Sequence, residues 1–198
     1  MRIGLFGGTF DPLHLGHLIV AEEAREKLKL DGVVFVPSGV PPHKNRGDVS
    51  DAEARLEMTR LGVEGNESFV VSDFEARRES TSFTIETVAH FKRTIGNDAE
   101  LFLIVGADSI LEISTWKEPR KLVSECSPVV VSRPGFDLAG LEPWIRDRVT
   151  ILDTVQVGIS STDIRERVAG GRSIRYLVSP QVAAYIFKNG LYTSVKNI

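Results

Sequence analysis

The chain has 198 residues, a length that reads as one domain and that buries about 70% of its unfolded surface on folding. With 42% hydrophobic and 26% charged residues it has a globular composition, which excludes disordered and fibrous classes. A net charge of −3 provides no overall field to recruit a polyanion, so nucleic acid is a poor default partner.

Along the chain, a short apolar run from Ile3 to Phe6 is closed by Gly7 and Gly8 and followed by a helix-like stretch from Leu15 to Leu30. The order strand, turn, helix recurs. Val33 to Val36 precedes the helix pattern DAEARLEMTRLG, and Phe69 to Ser72 precedes FTIETVAHFKRTIG. Leu101 to Val105 leads to a polar helix start at Asp108, and further strand patterns cover Pro128 to Ser132 and Val149 to Leu152. Continuous apolar strands separated by helix-length segments predict an α/β fold, a doubly wound parallel sheet covered on both faces. After Leu152 the strand rhythm stops, and SSTDIRERVAGG and SPQVAAYIFKNG predict two helices with Ser161 and Ser179 as N-caps and Gly170 and Gly190 as stops. Pro180 falls where a first-turn proline is tolerated.

Cys126 has no second cysteine to pair with, which fits a reducing compartment. Its longest apolar run, Leu101 to Ala107, is short for a membrane span, and the opening MRIGLFGG is short for a signal peptide. The expectation is a cytoplasmic protein without a membrane partner.

Chemistry concentrates in two places. In GGTFDPLHLGH, Gly7 to His17, the glycines let backbone approach a ligand, and His14 and His17 share one face of a helix start, where N–H groups and the positive dipole end favour phosphate. Neither the P-loop pattern nor GxGxxG is present. The plainer reading is two histidines that cap a helix; a zinc site lacks third and fourth ligands at useful spacing. In GISSTDIRER, Gly158 to Arg167, the hydroxyls of Ser160, Ser161 and Thr162 either cap a helix or bind an anion, and Arg165 offers a guanidinium fork one turn later. GxSxG is absent, which argues against a serine hydrolase. The loop SGVPPHKNRGD, Ser38 to Asp48, carries His43, Lys44 and Arg46 straight after a strand.

GGTFDPLHLGH together with ISSTDIR, Ile159 to Arg165, resembles the paired signatures of the nucleotidyltransferase superfamily. PSGVPPHK, TSFTIET, GADSILEISTW, SRPG and the ending YLVSPQVAAYIFKNGLY resemble the bacterial nicotinate-nucleotide adenylyltransferases over almost the whole chain. The resemblance implies one nucleotidyltransferase domain over residues 1–198, with 159–198 a C-terminal helical part carrying the second signature. It implies adenylyl transfer from ATP to nicotinate mononucleotide in NAD biosynthesis, with Mg²⁺ carried on the ATP phosphates.

By the same resemblance His14, His17, Lys44 and Arg165 are the catalytic residues. ATP would lie against Gly7, Gly8, Thr9, Phe10, His14 and His17, then Gly106 and Asp108, then Ile159, Ser160, Ser161, Thr162 and Arg165. Nicotinate mononucleotide would meet Thr9, His43, Lys44, Thr84, Trp116 and Arg133. Each has a plainer role: Asp108 as an N-cap, Trp116 as core, Arg133 in a surface ion pair. Lys117 departs from relatives with an aromatic residue there, which puts a two-sided ring clamp in doubt. His90 reads as structural and Arg77–Arg78 as a solvated loop. Phosphopantetheine adenylyltransferase and a non-catalytic nucleotide-binding protein are the alternatives; a homo-oligomer stays open.

Overall fold

The structure, a computed structural model, describes residues 1–39, 49–78, 80–96, 98–131 and 140–193. Among these, six strands form one parallel sheet in the order β3-β2-β1-β4-β5-β6, with β1 Arg2–Gly8, β2 Gly32–Pro37, β3 Phe69–Val71, β4 Glu100–Gly106, β5 Ser127–Val131 and β6 Thr150–Leu152. The helices are α1 Leu15–Lys27, α2 Ala52–Val63, α3 Thr84–Ile95, α4 Ala107–Leu111, α5 Pro119–Glu125, α6 Pro143–Arg146, α7 Ser161–Ala169 and α8 Pro180–Lys188. The expected doubly wound α/β sheet is therefore present, with strand cores within a residue or two of the apolar runs.

Side chains alternate across a strand, so a strand that is apolar at every position must be buried on both faces. Ile3 and Leu5 of β1, Val34 and Val36 of β2 and Leu101, Leu103 and Val105 of β4 enter one core with α3 and α5. Phe6, Phe35, Phe102 and Ile104 enter the core on the opposite face, beneath Ala21 and Ala24 of α1. A residue as large as Phe35, with none of its surface exposed, contributes about 1.5–3 kcal/mol by leaving water. A third cluster joins Ile164 and Val168 of α7 and Val182 and Ile186 of α8 to Met58 of α2, which seats the C-terminal helices against the sheet-covering layer.

The order places β1 and β4 side by side at the point where the chain reverses direction across the sheet, the switch point at which such folds form a crevice. The β1–β4 ladder ends at Phe6 with Ile104, while β1 continues beside β2 to Gly8 with Pro37 and β4 beside β5 to Gly106 with Val131. The carboxyl ends of β1 and β4 thus separate at their glycines.

Two cap assignments differ from expectation. The N-cap of α7 is Ser160, whose Oγ accepts from the Asp163 N–H at 3.1 Å, and Ser161 is the first helical residue. The N-cap of α4 is Gly106, so Asp108 is an exposed residue of the first turn and not the cap. Ser179 caps α8 as expected, accepting from the Val182 N–H at 3.2 Å, with Pro180 at the helix start and Gly190 at φ 59° just beyond its end.

Candidate active site

Two clefts open at the carboxyl edge of the sheet. The first, about 360 Å³, lies between the start of α1 and the segment after β6; it is lined by Gly7, Gly8, Phe10, His14, His17, Val155, Val157, Ile159, Ser160 and Ser161, among others. The second, about 450 Å³, lies between β2, the start of α3 and the residues after α4; Thr9, Ser38, Glu75, Phe83, Thr84, Trp116 and Lys117 line it. Gly7, Gly8, Gly106 and Ser109 border both. A side chain built on Gly7 or Gly106 would meet no atom within 4 Å, because at both positions the missing Cβ faces open cleft. Glycine at these strand ends leaves the backbone open to whatever occupies the clefts along their shared border.

The β1–α1 turn carries the chemistry of the first cleft. Phe10 adopts φ 48°, which folds its ring back against Phe6 and Phe35. The ring would lie 2.8 Å from any Cβ at Gly8, so that position accepts only glycine without rearrangement. His17 stands edge-on to Phe10 at 5.0 Å and stacks on His14 at 3.6 Å. The backbone N–H of His14 donates to His17 Nδ1 at 3.2 Å. An accepting Nδ1 leaves Nε2 as the protonated nitrogen of a neutral imidazole, hence a donor. His14, 6% exposed, has its pKa lowered to about 4 because burial disfavours the imidazolium. It is uncharged near neutrality, so this half of the pair offers a ring nitrogen and not a cation.

The second signature reaches the same turn from α7. Ser161 Oγ donates to the Pro12 carbonyl at 3.0 Å, and Arg165 Nη1 donates to the Asp11 carbonyl at 2.8 Å. Arg165 Nη2 donates to Thr162 Oγ1 at 3.3 Å. Ile159, Ser160 and Ser161 therefore reach the cleft wall, whereas Thr162 and Arg165 are not among the residues lining either cleft. Asp108 likewise lines neither cleft, although its neighbours Gly106 and Ser109 line both. His43, Lys44 and Arg133 lie outside the described residues.

In the second cleft Thr84 begins α3, and Trp116 lines the cavity and also packs against the core, as its plainer reading expected. Lys117 sits 4.3 Å above the Phe83 ring and 2.7 Å from Glu86, which also pairs with Arg78 at 2.9 Å. Lys117 and then Arg78 hold the Glu86 carboxyl below its ordinary range. The expected solvated Arg77–Arg78 loop is thus half right: Arg78 also lies 5.3 Å over Phe74, whose ring stacks on His90 at 3.9 Å. Burial pushes the Glu75 carboxyl up, and Thr87 Oγ1 donates to it at 2.5 Å.

Three residues that hold the turn were assigned no ligand role by the sequence, although Asp11 and Tyr192 lie inside the quoted motifs. Arg55 of α2, 1% exposed, donates from Nη1 to the Thr9 carbonyl at 2.8 Å, from Nη2 to the Gly39 carbonyl at 2.6 Å and from Nε to the Ser50 carbonyl at 3.0 Å. Asp11 is buried beside it, and the Tyr192 hydroxyl donates to Asp11 Oδ1 at 2.6 Å. The signal available for Arg55 was a charge flanked by apolar helix neighbours; for Tyr192 there was none, since its partner lies 181 residues away. Among the described residues no cluster of three or more His, Cys, Asp or Glu side chains could hold a metal ion, and no helix is long and apolar enough to cross a membrane.

Residues 5–167 match the cytidylyltransferase-like family model. The chain is 47% identical over 198 residues to a Moorella thermoacetica protein named probable nicotinate-nucleotide adenylyltransferase, covering 96% of this chain and 91% of that one. A Thermus thermophilus protein of the same name is 48% identical, covering 97% of this chain and all of its own length. Among solved structures, Plasmodium falciparum nicotinic acid mononucleotide adenylyltransferase complexed with NaAD superposes with a TM-score of 0.78 at 19% identity, covering 96% of this chain and 97% of that one. The same Plasmodium enzyme complexed with APC gives 0.76 at 19% identity, over 96% of each chain; at this identity the likeness is one of fold. With the near full-length relatives and the shared signatures, the chain belongs to the nicotinate-nucleotide adenylyltransferase family of cytidylyltransferase-like proteins.

Proposed function

We propose that the chain is an enzyme transferring the adenylyl group of ATP to nicotinate mononucleotide, giving nicotinate adenine dinucleotide and pyrophosphate in NAD biosynthesis. The observation that carries it is the pair of clefts meeting at Gly7, Gly8, Gly106 and Ser109, since a transfer between two nucleotides needs two sites with one common border. A phosphate monoester is already ionised near neutrality, so no protein nucleophile is required. An oxygen of the mononucleotide phosphate attacks the α-phosphorus in line, the bond to the bridging oxygen breaks, and pyrophosphate leaves.

In this reading ATP occupies the first cleft. His17 donates from Nε2 to the α-phosphate, where charge builds in the transition state. Gly7, Gly8, Thr9 and Phe10 bring backbone to the nucleotide, and Asp108 reaches a ribose hydroxyl beside Gly106. Ser160, Ser161 and Thr162 at the start of α7 receive the β- and γ-phosphates, with Arg165 one turn on. Lys44 and His43 hold the leaving group, and Arg133 the mononucleotide phosphate. Thr84 and Trp116 bracket the nicotinate ring, a flat group suited to the aromatic wall of the second cleft. Mg²⁺ enters as part of the MgATP substrate. Residues 1–198 act as one nucleotidyltransferase domain in the cytoplasm, on small molecules alone.

The test is pyrophosphate release from ATP with nicotinate mononucleotide, nicotinamide mononucleotide or phosphopantetheine offered separately. Turnover with the nicotinate form is expected. Turnover with none of them would overturn the enzyme reading, and preference for either of the others would overturn the acceptor.

A further inference from the structure

The turn that carries His14 and His17 is held from behind by Asp11, 2% exposed and outside both clefts. Its partners come from three parts of the chain. The Ser50 N–H donates to Oδ2 at 3.2 Å, Arg165 of α7 donates to the backbone carbonyl at 2.8 Å, and Tyr192 donates to Oδ1 at 2.6 Å. Tyr192 follows α8 and adopts φ 62°, a left-handed conformation that a residue with a Cβ keeps only where its surroundings fix it. Its hydroxyl also lies 3.7 Å from Met58 Sδ. Burial and the Asp11 charge push its pKa up, so the phenol stays protonated and remains a donor. A hydrogen bond from a neutral donor to a buried carboxylate is among the stronger kind in proteins.

We propose that Tyr192 is a positioning residue for adenylyl transfer: through Asp11 its hydroxyl fixes the β1–α1 turn, and with it the place from which His17 meets the α-phosphate. The C-terminal segment thereby becomes part of the site without lining either cleft. This rests on the function proposed above, so the test includes a readout that needs no turnover.

In Tyr192→Phe, amide exchange across residues 9–17 should quicken about tenfold, the scale of one hydrogen bond to a charged group. The kcat with nicotinate mononucleotide should fall about tenfold while KM for that substrate stays within about twofold, because a displaced turn misaligns the transition state more than the ground state. Adding Tyr192→Phe to Asp11→Ala should cost little further, since alanine leaves the hydroxyl no side-chain partner at position 11. Unchanged exchange in 9–17 would overturn the proposal whatever the activity. Unchanged kcat, or multiplying effects in the double variant, would overturn it as well. An inactive wild type would instead count against the functional reading, and the exchange measurement then decides positioning.

Discussion

Replacing Arg55 by methionine keeps most of the side-chain volume and removes the guanidinium. Three backbone carbonyls, of Thr9, Gly39 and Ser50, then lose their donor, and the buried Asp11 carboxylate loses a favourable charge in a region with almost no solvent. Burial already draws the Arg55 pKa below its ordinary value, opposed by Asp11 and Asp51, so the cation is retained by its partners and not by water. Removing one member of a buried charged network costs about 3–5 kcal/mol, because the groups left behind remain buried without compensation. Against a total stability of about 5–15 kcal/mol this is a large share. For a domain of this size each kcal/mol corresponds to about 2–4 °C, so Tm should fall by about 6–20 °C. Chemical denaturation followed by tryptophan fluorescence and circular dichroism measures the free energy directly. Adding Asp11→Asn to Arg55→Met should recover part of the loss, since it removes the stranded charge. A stability change under about 1 kcal/mol for Arg55→Met would refute the reasoning, by showing that the carbonyls find water and that Asp11 is stabilised by Ser50 and Tyr192 alone.

Two further outcomes follow from the histidine pair. His17→Ala should lower kcat by about 10²–10³-fold with the fold retained, the scale of one preorganised donor to a developing charge; a loss below about threefold in steady-state assays would reduce His17 to a helix cap. His14 has a native pKa of about 4 against 6.5 when unfolded, so between those values the unfolded chain binds the proton and the native one does not. Stability is therefore full above about pH 6.5 and is lost as pH falls toward 4, by about 3 kcal/mol from this group. Urea melts at pH 7 and pH 4.5 should show that loss in the wild type and a smaller one in His14→Gln, and equal losses in both would mean that His14 is solvated.

The parallel sheet was legible because burial on both faces demands apolar residues at every strand position, and Leu101 to Val105 meets that demand without interruption. The β1–α1 turn was legible through its resemblance to a paired signature: by themselves two histidines at that spacing read as helix caps, and His14 is the N-cap of α1 with His17 accepting from its N–H. The helix N-caps were less so, because Ser160 and Ser161 are chemically alike, and only the backbone direction decides which hydroxyl caps and which reaches Pro12. Arg55, Asp11 and Tyr192 were not legible as a unit. Their association is set by the packing of α2, the turn and the C-terminal segment, and no local pattern encodes a contact across 181 residues. The same holds for Arg165, whose contact with the Asp11 carbonyl spans 154 residues.

The border shared by the two clefts has a consequence for how a reaction there ends. In the proposed reaction each substrate would be held on its own side of the Gly7 and Gly106 ridge, which borders both clefts, and could leave from that side. Once joined, the dinucleotide is tethered on both sides at once, and when one half lets go the other holds it at high effective concentration, ready to rebind. Because a Cβ at Gly7 or Gly106 would meet nothing within 4 Å, no side chain there would have to swing aside for such a product to peel away, and glycines that admit two substrates would also provide the exit for one longer molecule.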